Sequence, residues 1–136
     1  MLKSEIKIRV RYAETDRMGY AYYGNYSTYF EVARVEALRS IGVSYKSLED
    51  SGVMLPVLEY RVKYFAPAFY DDELTIQTVI DEMPSARIHF SYKTFNGEGK
   101  QLNEAETTLV FVDTETGKPT RAPEHVLEKI RDSFQG

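Results

Sequence analysis

The segment that decides the fold is residues 25–42, which read NYSTYFEVARVEALRSIG. Its apolar residues recur at spacings of three and four, so they share one face of an α-helix. They are Tyr26, Tyr29, Phe30, Ala33, Ala37 and Ile41. Asn25 can cap the start of this helix and Gly42 its end. The segment therefore predicts a helix of about 16 residues, the longest in the chain.

The segments before and after this helix alternate in the way that β-strands do. Ile6, Ile8 and Val10 alternate with basic residues, which indicates a half-buried strand. Residues 57–113 contain four further runs with the same period. Residues 96–99, NGEG, join the last two runs as a hairpin turn, because Asn and Gly tolerate positive φ.

The remaining segments complete an order of strand, long helix and four strands. We predict a short helix at residues 44–50 capped by Ser44, a last strand at residues 101–112 and a closing helix at residues 123–134. This order predicts an α+β fold, in which one long helix covers one face of a curved antiparallel sheet of about five strands. The length predicts a single domain, residues 1–136. One helix cannot cover both faces, so we expect a homodimer, homotetramer or other homo-oligomer.

The composition excludes several classes of protein. The chain has no Cys, which rules out disulfides, thiolate zinc sites and cysteine nucleophiles. Lys plus Arg total 17 against 21 Asp plus Glu, and the net charge of −4 offers no general surface for a nucleic acid partner. No segment approaches the roughly 18 continuous apolar residues of a membrane helix, and the first residues show no apolar signal core. We therefore expect a cytoplasmic protein without membrane insertion.

The sequence motifs of the common catalytic sites are missing from the chain. It contains no nucleophile elbow, phosphate loop, HExxH zinc motif or calcium-binding loop. Its two histidines, His89 and His125, are far apart in the sequence. We expect neither histidine to act in catalysis or to bind a metal, and we predict no metal site.

Residues 11–19, RYAETDRMG, are the most informative polar segment. Asp16 and Gly19 fit the first and fourth positions of a type I turn, in which Asp accepts hydrogen bonds from nearby backbone. Asp16 also lies in the loop that leads to the N-terminus of the long helix. Unpaired N–H groups and a partial positive charge at that end suit a developing oxyanion. A carboxylate there can act as nucleophile or general base towards a polarised carbonyl. The spacing of these residues fits both a turn residue and a catalytic residue at Asp16.

Several short motifs, spread in order over residues 4–130, give the chain a family resemblance. They are Val10-Arg11-Tyr12 with Thr15-Asp16 and Gly19, Asn25-Tyr26 with Tyr29-Phe30-Glu31-Val32-Ala33-Arg34, Tyr64-Phe65-Ala66-Pro67-Ala68 with Tyr70-Asp71-Asp72-Glu73-Leu74, and Glu104-Ala105-Glu106-Thr107 with Val110-Phe111-Val112-Asp113. Together they resemble the hotdog-fold acyl-CoA thioesterases of the 4-hydroxybenzoyl-CoA thioesterase type. The resemblance implies a hotdog fold, paired subunits and hydrolysis of an acyl-CoA substrate to free acid and CoA. It implies no metal or organic cofactor, since CoA is part of the substrate.

The resemblance also implies roles for individual residues near the helix start. Asp16 corresponds to the catalytic carboxylate of the family, which attacks the thioester carbonyl or activates water. The backbone N–H of Tyr23 corresponds to the donor that polarises the carbonyl. Tyr12 matches a tyrosine that is placed near the catalytic site, and Asn25 and Tyr26 are expected to contact the substrate.

Further residues are implied for the two ends of the substrate. The family lays the acyl chain between subunits, with residues 55–57 and the Tyr60 region of the neighbouring subunit as lining. The phosphates of CoA need cationic or polar groups. By position in the family, the candidates are Ser85, Arg87, Lys118 and Arg121, each of which is otherwise an ordinary solvated residue near a turn. For Glu59 we expect a surface or interface ion pair.

One departure from the family bears on the substrate. Bacterial members that act on short acyl groups commonly carry His where this chain has Tyr23. A phenol cannot replace an imidazole as an acid or base near neutral pH, although the backbone N–H is kept. Two alternatives to an acyl-CoA thioesterase stay open. One is a thioesterase for acyl groups on acyl carrier protein, docked at Arg87 and Arg121. The other is a non-catalytic acyl-CoA-binding module, which the missing His favours. Dehydratase chemistry needs a His at the helix start, which this chain lacks.

Overall fold

The computed structural model describes residues 1–135 and contains a five-stranded antiparallel sheet with three helices. In chain order the elements are β1 (Leu2–Arg9), α1 (Tyr26–Arg39), α2 (Tyr45–Asp50), β2 (Val53–Met54), β3 (Val57–Tyr64), β4 (Glu73–Ile80), β5 (Arg87–Phe95), β6 (Gln101–Val110), β7 (Val112–Asp113) and α3 (Glu124–Gln135). The sheet has the order β1-β4-β5-β6-β3, and β2 pairs with β7 outside it. The predicted α+β architecture, with one long helix, five main strands and a C-terminal helix, is confirmed.

Three details of the predicted elements differ from the structure. Helix α1 has 14 residues, and the side chain of Asn25 does not cap it. A single 3₁₀ turn, Tyr23–Asn25, precedes the helix instead. The predicted strand at residues 101–112 is interrupted, because β6 ends at Val110 and the next two paired residues belong to β7. Strands as short as β2 and β7 leave no recognisable alternation in a sequence, so periodicity does not reveal them.

The core lies between α1 and the sheet face that it covers. The predicted helix face is buried, and the Phe30 ring lies 4.6 Å from the Tyr92 ring of β5, measured between centroids. The apolar stripe of α3, formed by Val126, Leu127 and Ile130, is also buried. Burial of these side chains away from water makes the largest favourable contribution to the packing of the helix on the sheet. No helix within residues 1–135 is long and apolar enough to cross a membrane.

The turn between β5 and β6 forms as its sequence predicts. Asn96 Oδ1 accepts hydrogen bonds from the N–H groups of Glu98 and Lys100, each 3.0 Å long. Gly99 has a φ of 82°, which favours glycine. This turn places the end of β5 and the start of β6 at the same end of the sheet as the end of β1.

Strand β3 is an edge of the sheet, and its outer side has no partner strand within residues 1–135. It exposes large apolar side chains, namely Val57, Leu58, Tyr60 and Tyr64. A long apolar edge strand readily pairs with a strand of another chain. The sheet face opposite α1 is also open. It forms a groove of about 900 Å³, whose lining includes the charged side chains of Lys3, Glu5, Arg61, Lys63 and Glu104.

Candidate active site

Asp16 lies in the loop between β1 and α1 and uses one carboxylate oxygen to hold its own turn. Asp16 Oδ1 accepts hydrogen bonds from the N–H groups of Met18 (2.9 Å) and Tyr20 (3.2 Å). The Gly19 N–H donates to the Asp16 carbonyl at 3.0 Å, so the predicted turn is confirmed. Asp16 Oδ2 makes no hydrogen bond with any residue of the described chain. The turn therefore leaves one oxygen of a half-buried carboxylate available.

The start of α1 offers two backbone donors. The Tyr22 N–H donates to the Glu14 carbonyl at 2.7 Å, and the Asn25 N–H donates to the Tyr22 carbonyl at 2.9 Å. The intervening N–H groups, those of Tyr23 and Gly24, have no acceptor among residues 1–135. They stand at the positive end of the helix dipole, where an anion or a polarised carbonyl oxygen is favoured.

Glu14 is a buried residue that joins these two parts of the site, and sequence reasoning missed it. Its Oε1 accepts hydrogen bonds from the Arg11 N–H (2.8 Å) and the Tyr29 hydroxyl (2.9 Å), and its Oε2 accepts one from Arg11 Nη2 (2.8 Å). Burial works to raise the pKa of Glu14, but the hydrogen bonds from Arg11 and Tyr29 outweigh it and lower the pKa below its ordinary 4.5. Glu14 is therefore ionised near neutral pH.

The aromatic residues predicted for the site lie in different surroundings. Tyr12 is the most exposed of them, at 77%, and its ring meets the Tyr70 ring edge-on at 5.6 Å between centroids. The Tyr23 side chain is also exposed. Tyr26 is buried against Tyr64, and burial raises the pKa of Tyr26 to about 12, with a smaller contribution from Tyr64. Its hydroxyl is therefore neutral at physiological pH.

Asn25 holds the loop rather than capping the helix. Its Nδ2 donates a hydrogen bond of 2.8 Å to the Glu14 carbonyl, which also accepts the Tyr22 N–H. This bond fixes the Asn25 amide nitrogen towards the Asp16 loop. Any contact between Asn25 and a substrate would have to use the rest of its side chain.

The candidate CoA-binding residues form one group, but not beside Asp16. The Ala122 N–H donates to the Ser85 carbonyl at 2.7 Å, so the segments that carry Arg87 and Arg121 are neighbours. Ser85, Arg87, Lys118 and Arg121 are all exposed. However, Arg87 begins β5, whereas the Asp16 loop lies at the end where β5 finishes. Eight residue steps at about 3.3 Å separate the two ends by about 26 Å.

His89, which was also considered from the sequence, lies on the open sheet face. His89 faces that side, as its alternation with buried neighbours predicts, and its Nε2 is 3.1 Å from Glu106 Oε1. Glu106 also binds Arg61. The ion pair expected for Glu59 is not formed within residues 1–135, and an intersubunit pair stays a prediction.

Comparison with known proteins assigns the chain to a family. A family model described as the thioesterase-like superfamily matches residues 10–130. The acyl-CoA thioester hydrolase YbgC of Escherichia coli O6:H1 is 36% identical over 124 residues, which cover 91% of this chain and 92% of that protein. The chain therefore belongs to the thioesterase-like superfamily. The predicted resemblance is confirmed, and with it the prediction of a thioester hydrolase.

Solved structures share the fold. A DHNA-CoA thioesterase from Staphylococcus aureus superposes with a TM-score of 0.90 at 32% identity, covering 99% of this chain and 90% of that one. A mutant 4-hydroxybenzoyl-CoA thioesterase in complex with 4-hydroxybenzoyl-CoA superposes with a TM-score of 0.85 at 18% identity, covering 95% and 99%. At that lower identity the likeness concerns the fold alone. The predicted hotdog fold is confirmed.

Proposed function

We propose that this chain hydrolyses acyl-CoA thioesters to free acid and CoA, using Asp16 and the backbone N–H groups at the start of α1. The observation that carries the proposal is that one carboxylate oxygen and two backbone donors, all without hydrogen-bond partners among residues 1–135, occur in the same segment before α1. Asp16 Oδ2 and the N–H groups of Tyr23 and Gly24 have no partners among residues 1–135. Such donors stabilise the negative charge that develops on a thioester oxygen, and a carboxylate supplies the base or nucleophile.

Asp16 can take part in the reaction in either of two ways, as a general base or as a nucleophile. In one, Asp16 Oδ2 takes a proton from water, and the resulting hydroxide adds to the thioester carbonyl carbon. In the other, Oδ2 itself adds to that carbon and water later hydrolyses the mixed anhydride. In both routes the carbonyl oxygen becomes negative beside the Tyr23 N–H. The carbon–sulfur bond then breaks and the CoA thiolate leaves. It takes up a proton from the protonated Asp16 in the first route and from water in the second.

We further propose that two copies of the chain build each site. Within one chain, Arg87 and Arg121 lie about 26 Å from the Asp16 end of the sheet, as judged from strand length. A second copy whose β3 paired antiparallel with this β3 would reverse that order. Its own Arg87 end would then lie next to Asp16 of the first copy. The exposed apolar side chains of β3 support such pairing.

Thiol release from a panel of acyl-CoA esters tests the activity. The panel runs from acetyl to palmitoyl and includes benzoyl and phenylacetyl, and wild type is compared with Asp16→Asn. Asn keeps the Oδ1 acceptor of the turn but cannot act as base or nucleophile. We expect turnover to fall at least about 100-fold with an unchanged melting temperature. If Asp16→Asn is as active as wild type, Asp16 has no catalytic role and only holds the turn. An inert wild type would redirect the search to acyl carrier protein thioesters or to a binding role.

Mixing two defective variants tests the shared site. Asp16→Asn and the double variant Arg87→Ala/Arg121→Ala are unfolded together, refolded and assayed at low acyl-CoA concentration. If the cations act across the dimer, each mixed dimer contains one intact site, and random pairing restores about a quarter of the wild-type rate. If they act within one chain, every site keeps a defect and mixing restores nothing. Native mass spectrometry on the same samples reports the number of subunits.

A further inference from the structure

Glu14 has a buried carboxylate for which the proposed chemistry has no direct use. It is 9% exposed, and its two oxygens accept three hydrogen bonds from Arg11 and Tyr29. A buried charge is costly unless its hydrogen bonds are satisfied, so this arrangement demands a reason. Glu14 stands two residues before Asp16, as the last residue of a separate 3₁₀ turn formed by Tyr12–Glu14.

We infer that Glu14 is a positioning residue: it clamps the Asp16 loop to the start of α1 and so sets where the Asp16 carboxylate stands relative to the Tyr23 N–H. The clamp consists of Glu14 with its partners Arg11, Tyr22, Asn25 and Tyr29. This inference rests on the proposed function, because it assigns a role towards the same two groups.

The backbone of Glu14 forms a direct link between the segments that carry those groups. Its carbonyl accepts the Tyr22 N–H at 2.7 Å and Asn25 Nδ2 at 2.8 Å. These two donors come from the residues just before and just after the pair with free N–H groups. A bridge between Thr15 and Ala21 continues the link towards Asp16. Movement of Glu14 would therefore shift the carboxylate and the donors relative to each other.

The side chain of Glu14 fixes this link to the helix. The Glu14 carboxylate accepts a hydrogen bond from the hydroxyl of Tyr29, which belongs to α1 and lies 15 residues further along the chain. The Glu14 carboxylate is an acceptor in all three of its hydrogen bonds. The donors are the Arg11 N–H, Arg11 Nη2 and the Tyr29 hydroxyl. Glutamine has the same shape but places an NH₂ donor on one side, so at least one contact becomes donor against donor. Glu14→Gln is therefore a nearly isosteric way to loosen the clamp.

The matched control is Glu36→Gln. Glu36 lies on α1 and pairs with Arg39, three residues away, as Glu14 pairs with Arg11. This change removes the same charge from a similar local pair outside the loop. Tyr29→Phe serves as a second variant, since it deletes one hydroxyl of the clamp and keeps the ring in the core.

The experiment measures kcat and KM for thiol release by wild type, Asp16→Asn, Glu14→Gln, Tyr29→Phe and Glu36→Gln. Misplaced catalytic groups lower kcat and leave KM almost unchanged. Since a displacement near 1 Å can cost about 10²-fold, we expect kcat to fall about 10–100-fold in Glu14→Gln and less in Tyr29→Phe. The double variant Glu14→Gln/Tyr29→Phe, measured in the same way, should resemble Glu14→Gln alone, because both changes break one network. Glu36→Gln should match wild type.

Hydrogen exchange gives a readout that does not depend on activity. Peptides that contain the Tyr22 N–H should exchange faster in Glu14→Gln than in wild type or Glu36→Gln. Unchanged kcat or unchanged exchange in a folded Glu14→Gln protein would overturn the inference, even if Asp16→Asn is inactive. A merely structural role would lower the melting temperature and leave kcat of the folded enzyme unchanged. If wild type itself releases no thiol, the proposed function fails and the exchange data alone decide whether the clamp exists.

Discussion

Replacing Tyr23 by proline should remove one hydrogen-bond donor of the proposed site and change little else. Tyr23 is the first residue of the 3₁₀ turn before α1, a position that suits proline. The preceding residue, Tyr22, has φ −62° and ψ 131°, which is the extended conformation that a following proline requires. The Tyr23 N–H has no acceptor among residues 1–135, so its loss breaks no described hydrogen bond.

The size of the effect follows from what the donor does. Losing one donor to a developing oxyanion typically lowers kcat by about 10²–10³, or about 2.7–4 kcal/mol. The proper baseline is Tyr23→Ala, because alanine also removes the exposed ring but keeps the N–H. We expect Tyr23→Pro to be about 100-fold or more slower than Tyr23→Ala. Tyr23→Phe should stay near wild type, since the donor belongs to the backbone.

The assay is the initial rate of thiol release from the best acyl-CoA at saturating concentration, with circular dichroism and native mass spectra as checks of folding and assembly. If Tyr23→Pro is as fast as Tyr23→Ala while it keeps the wild-type fold, the N–H does not polarise the thioester. The oxyanion would then have to be bound elsewhere. A large loss in Tyr23→Phe would assign the role to the phenol instead of the backbone.

Three further predictions concern stability and the helix start. The fully buried Thr94 hydroxyl has no hydrogen-bond partner within residues 1–135, so Thr94→Val should raise the free energy of unfolding in urea by up to about 1 kcal/mol. Thr107→Val, which breaks a 2.7 Å hydrogen bond, should lower it by about 1 kcal/mol, and the opposite order would contradict the reasoning. Gly24→Ala would place Cβ 2.6 Å from the Tyr22 ring, so the ring must move. Thiol-release rates equal to those of wild type would show that the position of the Tyr22 ring is unimportant for turnover. Because the partners of Glu14 lower its pKa, its stabilising share is present above pH 4.5 and is lost as the pH falls through the folded pKa. Urea midpoints measured between pH 6 and pH 3 should fall less steeply in Glu14→Gln, and parallel curves would refute this.

The site was predictable only where a local rule applied. The turn at Asp16 follows from Asp and Gly at set positions, and the structure forms it. The long helix follows from its apolar spacing. Asn25 was predicted as a helix cap because Asn favours that position, but its backbone is already helical (φ −75°, ψ −20°), and its side-chain nitrogen donates to the Glu14 carbonyl. No local signal marks Glu14, since an acidic residue in a polar loop normally faces water.

The sequence by itself determined the order of the helices and the five main strands, the buried face of α1 and the turns, because periodicity and turn preferences act over a few neighbouring residues. The tertiary structure alone decided which segments meet. It buries Glu14 by bringing Tyr29 of α1 against the loop, and it places Arg87 at the end of the sheet away from Asp16. Both results depend on strand register and on contacts between distant parts of the chain. Such contacts are set by packing of the whole core, which no short segment encodes.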